Sequence, residues 1–149
     1  MKHRSVSVVG LVVPVMLIAA ACSSGNSNAT AVKKSTGAGT TVTVDGQKAN
    51  DHGKKDVSGG GTDAVEVDDF YFNPTVFTGK AGDKLILTLS NDSKMLHNFS
   101  MPAQGIDRDI PAGGKVTVSV TFPASGTAVF FCKYHRSSGM LGGLQVETS

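Results

Sequence analysis

The possible folds of this chain are limited above all by a series of short apolar or alternating runs, separated by Gly, Pro, Asn and Asp. The run KVTVSVTF at 115–122 is the clearest, because its valines and its last phenylalanine would lie on one face of a strand. Further runs lie at 65–68, 70–72, 75–78, 84–89, 96–101, 127–132 and 144–147. No stretch after residue 21 has a convincing helical period. Strands at this spacing predict an all-β protein, a Greek-key β-sandwich formed by residues 63–149.

The N-terminal segment 1–21 is predicted to be a signal peptide. Residues 1–4 (MKHR) form a short positive region, and residues 5–21 are largely apolar, with Gly10 and Pro14 in the middle. A membrane-spanning helix needs about 20 apolar residues, whereas the apolar region of a signal peptide is shorter. The length and the interruptions therefore favour an export signal over a membrane span.

Small residues precede a cysteine at Ala19-Ala20-Ala21-Cys22. This arrangement resembles the lipobox of bacterial lipoproteins, in which the cysteine is acylated and becomes the new N-terminus, although Ala19 stands where the family usually has Leu. The resemblance implies lipidation of Cys22 and anchoring at the outer face of the bacterial cell membrane, since several acyl chains together give stable attachment. Ordinary secretion, with cleavage near the alanines and a free Cys22, is the alternative.

Residues 22–62 are predicted to be a flexible tether. They are rich in Ser, Gly, Asn, Thr, Ala and Lys, and they contain too few large apolar side chains to offset the entropy cost of ordering. Residues 40–45 (TTVTVD) alternate weakly, as a strand would, but their surroundings favour a linker. The sequence thus predicts three segments, at 1–21, 22–62 and 63–149.

The charge distribution excludes a nucleic-acid binder. The chain has 14 Lys and Arg against 12 Asp and Glu, and two of the basic residues, Lys2 and Arg4, belong to the predicted signal peptide. Subtracting these (14 − 2) leaves 12 basic and 12 acidic side chains, so the exported chain is neutral. A basic face of the kind that binds nucleic acid is therefore not expected.

The segment around the second cysteine has the most informative pattern. Cys132, His135 and Met140 have the spacing C-x2-H-x4-M, and His97 lies 35 residues before the cysteine. If Cys22 is lipidated, Cys132 is a lone thiol in an oxidising compartment, where burial or metal ligation would protect it. Two His and one Cys with a weak axial Met are the ligands of blue-copper sites, because sulfur suits Cu(I) and imidazole suits Cu(II).

Each of these residues has a more ordinary role when it is considered alone. His97 by itself is typical of a core histidine, Cys132 of an inert buried thiol and Met140 of a packing residue. A zinc site would need four such ligands, and neither C-x2-C nor H-x3-5-H accompanies the C-x2-H pair. A thiol nucleophile would need a separate base and an orienting group, which so short a loop does not provide. The full set in this order favours copper.

Residues 64–147 resemble the cupredoxins, and the plastocyanins among them most closely. The resemblance depends on the C-x2-H-x4-M loop, on the Leu-Gly-Gly and the final strand that follow it, and on the pair His97-Asn98. It implies a cupredoxin-like fold with one copper ion per domain, cycling between Cu(I) and Cu(II). It also implies that Asn98 braces the cysteine loop. The ligands that it implies are His97, Cys132, His135 and Met140.

The function implied by the resemblance is transfer of single electrons between extracytoplasmic redox proteins, by a monomer that is not an enzyme. Electrons would pass through the ring edge of His135, and four protein ligands would leave no open position for a substrate. Plastocyanins often have Pro at the position of Tyr134, so the partner is not carried over from the family. The residues expected to dock and steer an acidic partner are the apolar Leu96, Pro102 and Leu141 and the positively charged Lys133, Arg136 and Lys94.

Two other functions are compatible with the same residues. A protein that stores copper, or delivers it to an extracytoplasmic cuproenzyme, would use the same ligands. A metal-free adhesive sandwich would show no change in its spectrum or melting temperature on addition of copper, whereas a bound ion stabilises the folded state by mass action.

Overall fold

The structure is a computed structural model that describes residues 40–148 of the chain. The predicted signal peptide (1–21), the predicted lipidation site Cys22 and residues 23–39 of the predicted tether lie outside the described residues. Among residues 40–148, no helix is long and apolar enough to cross a membrane.

The described chain consists of β-strands joined by turns and by 3-10 helices at Pro102–Gln104 and Arg136–Ser138. The strands are β1 (Thr41–Val44), β2 (Gln47–Asn50), β3 (Lys54–Asp56), β4 (Gly61–Asp68), β5 (Tyr71–Asn73), β6 (Val76–Gly79), β7 (Lys84–Asn91), β8 (His97–Met101), β9 (Ile106–Ile110), β10 (Lys115–Thr121), β11 (Thr127–Phe131) and β12 (Leu141–Val146). One sheet has the strand order β10-β7-β4-β5, the second has the order β3-β6-β12-β11-β8-β9, and β1 and β2 form a separate hairpin. Paired strands such as β4 and β7, or β6 and β12, are not consecutive, as in Greek-key sandwiches.

The main core lies between the four-stranded and the six-stranded sheet, and it follows the predicted alternation. In β7, Leu85, Leu87 and Leu89 are buried, and the intervening side chains are more exposed. In the neighbouring β10, Val118 and Val120 are buried, while Thr117 and Ser119 are exposed. The remaining core side chains come from both sheets, so the predicted β-sandwich is confirmed.

The structure differs from the sequence prediction over residues 41–62. This part of the predicted tether contains β1, β2, β3 and the first residues of β4, so the ordered domain begins well before residue 63. The composition of this segment gave a wrong prediction because these strands need no apolar core of their own. Strand β3 is exposed and joins the six-stranded sheet by backbone pairing with β6, and the β1–β2 hairpin packs a few small apolar side chains against that sheet. A signal was present, since Asp45 and Gly46 have φ of 46° and 75°, as in an Asp-Gly two-residue hairpin.

The β1–β2 hairpin covers part of the outer face of the six-stranded sheet. Val44 and Ala49 of the hairpin form a buried cluster with Val76 and Leu141. A Cβ atom added to Gly143 of β12 would lie 2.7 Å from the Val44 side chain, so glycine is needed for this close approach. The six-stranded sheet therefore has apolar packing on both of its faces.

One end of the six-stranded sheet gathers the predicted ligands. Strand β8 begins at His97, and β11 ends one residue before Cys132; these two strands are antiparallel neighbours. The loop 132–140, called the ligand loop below, connects β11 to its antiparallel neighbour β12. In an antiparallel pair, the start of one strand lies beside the end of the other. The start of β8 therefore lies at the same end of the sandwich as the ligand loop, which leaves the end of β11 and leads into the start of β12.

Candidate metal centre

The predicted nitrogen and sulfur ligand atoms converge on one point. The Sγ of Cys132 lies 4.0 Å from Nδ1 of His97 and 3.5 Å from Nδ1 of His135, and the two Nδ1 atoms are 3.2 Å apart. Typical bonds from a first-row ion such as zinc are about 2.0 Å to imidazole nitrogen and about 2.3 Å to thiolate sulfur, so three such ligands would stand about 3.3–3.7 Å apart. The observed triangle therefore fits a single metal ion.

Met140 adds a thioether from the end of the ligand loop. Its side chain is buried and belongs to the same apolar cluster as Cys132. Backbone hydrogen bonds close the loop, because the Cys132 N–H donates to the Met140 carbonyl at 3.0 Å and the Met140 N–H donates to the His135 carbonyl at 3.2 Å. His97, Cys132, His135 and Met140 are thus arranged like a type 1 copper site.

The burial of His97 favours the neutral form of its side chain, which can bind a metal ion. His97 and Cys132 are both buried, whereas His135 is partly exposed. Removal from water lowers the pKa of His97, and the neighbouring His135 lowers it further. The neutral imidazole, which metal ligation requires, is therefore favoured. The Nε2 atom of His97 is buried with no hydrogen-bond partner among the described residues, so the polar contacts of the ring are those that Nδ1 makes at the site.

Asn98, predicted to brace the cysteine loop, lies beside that loop. Its Oδ1 accepts a hydrogen bond from the backbone N–H of Lys133 at 3.4 Å and a shorter one from the Ser100 hydroxyl at 2.6 Å. Its Nδ2 donates to the carboxylates of Asp107 and Asp109 at 2.7 and 2.8 Å. The amide is therefore fixed by β9 on one side and contacts the residue after Cys132 on the other.

The family of the chain follows from a comparison with family models. The model described as "Cupredoxin-like domain" matches residues 14–144, which is most of the chain and includes His97, Cys132, His135 and Met140. The chain belongs to the cupredoxin-like family. The resemblance drawn from the ligand loop is thereby confirmed at the level of the family.

Solved structures with similar folds include other metal-binding proteins. The metal-binding domain of the Cu(I)-exporting P-type ATPase CopA of Streptococcus pneumoniae D39 is 15% identical, with 65% of this chain and 98% of that chain covered and a TM-score of 0.53. Auracyanin A, a blue copper protein of Chloroflexus aurantiacus, is 20% identical, with 60% and 100% covered and a TM-score of 0.48. The auracyanin of Roseiflexus castenholzii is 21% identical, with 58% and 97% covered and a TM-score of 0.48. The first of these, with a TM-score above 0.5, has a fold similar to that of this chain.

The structure corrects the apolar docking patch that was predicted around His135 of this cupredoxin. Leu96 is 46% exposed, but Leu141 is only 3% exposed and lies in the cluster beneath the β1–β2 hairpin. Leu141 directly follows the ligand loop, and its side chain points to the outer face of the sheet, which the hairpin covers. Pro102 follows the last residue of β8, at the opposite end of the strand from His97.

Two aromatic rings, and not Leu141 or Pro102, lie beside His135. The ring of Phe70 meets the His135 ring edge-on, with centroids 5.0 Å apart, and Tyr134 lies 6.4 Å from it. Both are exposed, at 36% and 45%. Phe70 lies in the turn between β4 and β5, so its approach to the site depends on the packing of the two sheets and leaves no signal in local spacing.

The predicted positive charges differ in their surroundings. The Lys133 ammonium lies 2.9 Å from Asp107 and 3.0 Å from Asp109, so two carboxylates offset its charge. The Arg136 guanidinium donates to the neutral side-chain carbonyl of Gln47 at 2.7 Å. Lys133 is therefore a weak source of steering for an acidic partner, whereas the charge of Arg136 has no carboxylate within ion-pair distance among residues 40–148.

Proposed function

We propose that this cupredoxin transfers single electrons, using one copper ion held by His97, Cys132, His135 and Met140. The observation that carries the proposal is the convergence of two Nδ1 atoms and one Sγ within 3.2–4.0 Å of one another, next to a buried methionine. When bound, copper supplies the one-electron couple between Cu(I) and Cu(II).

The side chains of the site are chemically suited to both oxidation states of copper. Cys132 and Met140 offer sulfur and the two histidines offer nitrogen, a mixture that suits both states of copper. Three of the four side chains are buried, which excludes water and leaves no open position for a substrate. The contacts of Asn98 and the backbone bonds within the ligand loop limit movement, and small movement favours rapid transfer.

The partly exposed ring of His135 supports transfer at this end of the sandwich. It is the least buried of the four proposed ligands, and Phe70, Tyr134 and Leu96 expose apolar surface nearby. A small apolar surface of this kind suits a brief encounter with another redox protein. We propose extracytoplasmic redox proteins as the donor and the acceptor, with Arg136 contributing to the steering of an acidic one.

The predicted export signal at residues 1–21 supports a location outside the cytoplasm. Together with the lipobox-like sequence that ends at Cys22, it supports a lipid anchor at the outer face of the bacterial cell membrane. Mass spectrometry of the protein from membranes tests this proposal. A diacylated or triacylated Cys22 as the first residue is expected, and an unmodified N-terminus within or after the alanines would contradict it.

Reversible redox cycling tests electron transfer. The full chain, loaded with one equivalent of copper, is oxidised and reduced repeatedly in the presence of a Cu(I) chelator, while the bound copper and the reduction potential are measured. A carrier keeps its copper through many cycles and shows a reversible one-electron wave. Loss of copper to the chelator at the first reduction would contradict the proposal and would favour storage or delivery of copper.

A further inference from the structure

The β1–β2 hairpin contacts the ligand loop as well as the sheet. Asn50, the last residue of β2, donates two hydrogen bonds from its side-chain Nδ2, to the carbonyl of Ser138 and to the carbonyl of Phe70, both at 2.9 Å. Its backbone N–H donates to the Gly139 carbonyl at 2.9 Å, and its own carbonyl accepts from the Thr75 hydroxyl at 3.0 Å. One residue thus joins the hairpin, the β4–β5 turn and the ligand loop.

Of the two segments joined by the Asn50 side chain, one precedes a proposed copper ligand in the sequence and the other contacts the ring of a second one. Ser138 lies two residues before Met140. Phe70 places its ring against the ring of His135, and its φ of 66° lies in the left-handed region that non-glycine residues seldom adopt. A hydrogen bond to the Phe70 carbonyl helps to hold this turn in its unusual conformation, because strained conformations persist only where their surroundings fix them.

The ligand loop is shaped to accept this side chain. Gly139 has a φ of 86°, and a Cβ atom added there would lie 2.8 Å from Oδ1 of Asn50. The glycine therefore allows both the left-handed turn and the close approach of the amide. A second contact lies nearby, where Arg136 of the loop donates to the Gln47 side chain of the hairpin and places its guanidinium 4.1 Å from the Phe131 ring centroid.

We propose that Asn50 is a positioning residue for the copper site, which fixes the Met140 end of the ligand loop relative to His135. The proposal rests on the copper site proposed above. The amide acts through the carbonyls of Ser138 and Phe70 and touches no ligand atom itself. Loss of the two hydrogen bonds from Nδ2 loosens the end of the loop, where only the backbone bond from residue 50 to the Gly139 carbonyl remains, so copper is expected to be released faster.

Two substitutions of Asn50 separate hydrogen bonding from packing. Asn50→Ala removes the amide, whereas Asn50→Asp keeps the shape but replaces the donor with an acceptor that faces two carbonyl oxygens. Val42→Ala is the matched control, because Val42 packs in the apolar cluster of the same hairpin and leaves the Asn50 bonds in place. All variants are made in the full chain.

The readouts are the thiolate-to-copper absorption band, the reduction potential and the rate of Cu(I) transfer to a chelator. Two lost hydrogen bonds predict a rate about tenfold higher for Asn50→Ala, and at least as high for Asn50→Asp, with a shifted band and potential. Val42→Ala is expected to match the wild type in all three. Wild-type values for both Asn50 variants would overturn the proposal.

Hydrogen exchange in the copper-free chain tests the positioning role without the metal. The amides of Gly139 and Met140, which bond within the loop, are expected to exchange about tenfold faster in Asn50→Ala than in the wild type. A wild type that binds no copper would contradict the proposed function, while this comparison still decides the role of Asn50. If neither variant folds, the side-chain Nδ2 hydrogens of Asn50 in the wild type decide: exchange slower than that of an exposed asparagine side chain supports the proposal, and exchange at the rate of an exposed asparagine side chain overturns it.

Discussion

Two leucines near the ligand loop give opposite predictions for the same substitution. Leu141 is 3% exposed and packs beneath the hairpin, whereas Leu96 is 46% exposed beside the start of β8. Leu141→Ala is therefore expected to open a cavity, and Leu96→Ala is expected to remove side-chain atoms that already face water. If both residues belonged to one exposed docking patch, as their sequence positions suggest, neither substitution would affect stability.

The magnitude follows from the packing around Leu141. Replacing a buried Leu with Ala costs about 2–5 kcal/mol of unfolding free energy, depending on how far the site collapses. Three neighbours in the cluster, Val42, Val129 and Phe131, are only partly buried and can move into the space. We therefore expect about 2–3 kcal/mol for Leu141→Ala, and less than about 0.5 kcal/mol for Leu96→Ala.

Thermal unfolding of the copper-free full chain measures the difference. At about 4 °C per kcal/mol for a domain of this size, Leu141→Ala should lower the Tm by about 8–12 °C, and Leu96→Ala by about 2 °C or less. Denaturant titration at constant temperature checks that the unfolding free energy has changed by the same amount. Equal Tm values for the two variants would refute the placement of Leu141 beneath the hairpin.

Two further predictions concern the site and its support. Burial, and to a smaller extent the neighbouring His135, lowers the pKa of His97 below its ordinary value of 6.5, so the unfolded chain binds this proton more tightly than the folded chain does. The unfolding free energy of the copper-free protein should therefore be highest above pH 6.5 and should fall as the pH falls through the folded pKa. Denaturant titrations of the wild type and of His97→Gln between pH 5 and pH 8 check this prediction. If the unfolding free energy changed with pH in the same way in both proteins, the prediction would be contradicted. Gly142→Ala should destabilise the fold by about 1–3 kcal/mol, because the added Cβ would meet the Thr75 carbonyl and the Phe130 ring; an unchanged denaturation midpoint would argue against that close packing.

The ligands and the sandwich were predictable because their signals are local. Alternation along 115–122 fixes which side chains of β10 face the core. The C-x2-H-x4-M spacing could be recognised because Cys132, His135 and Met140 all lie in the one short loop between β11 and β12. His97 is remote in sequence, yet its chemistry limits the choice, since His3 lies in the predicted signal peptide and His52 has no second ligand type near it in the sequence.

The neighbours of the site were not predictable in the same way, because they depend on pairing between distant strands. The partners of Lys133 are set by the register of β8 with β9, which places Asp109 opposite Asn98. Leu141 is covered by a hairpin whose composition is that of a linker, and Asn50 reaches Ser138 across 88 residues of sequence. The local signals of that hairpin were the weak alternation of residues 40–45 and the Asp45-Gly46 turn.

A copper titration of the full chain is the decisive test of the metal site. Addition of Cu(II) to the wild type should produce an intense visible thiolate-to-copper band that saturates at one equivalent, and Cys132→Ser should bind copper without this band. A folded wild-type protein that stays colourless with Cu(II), or a band that persists in Cys132→Ser, would contradict the assignment of the site.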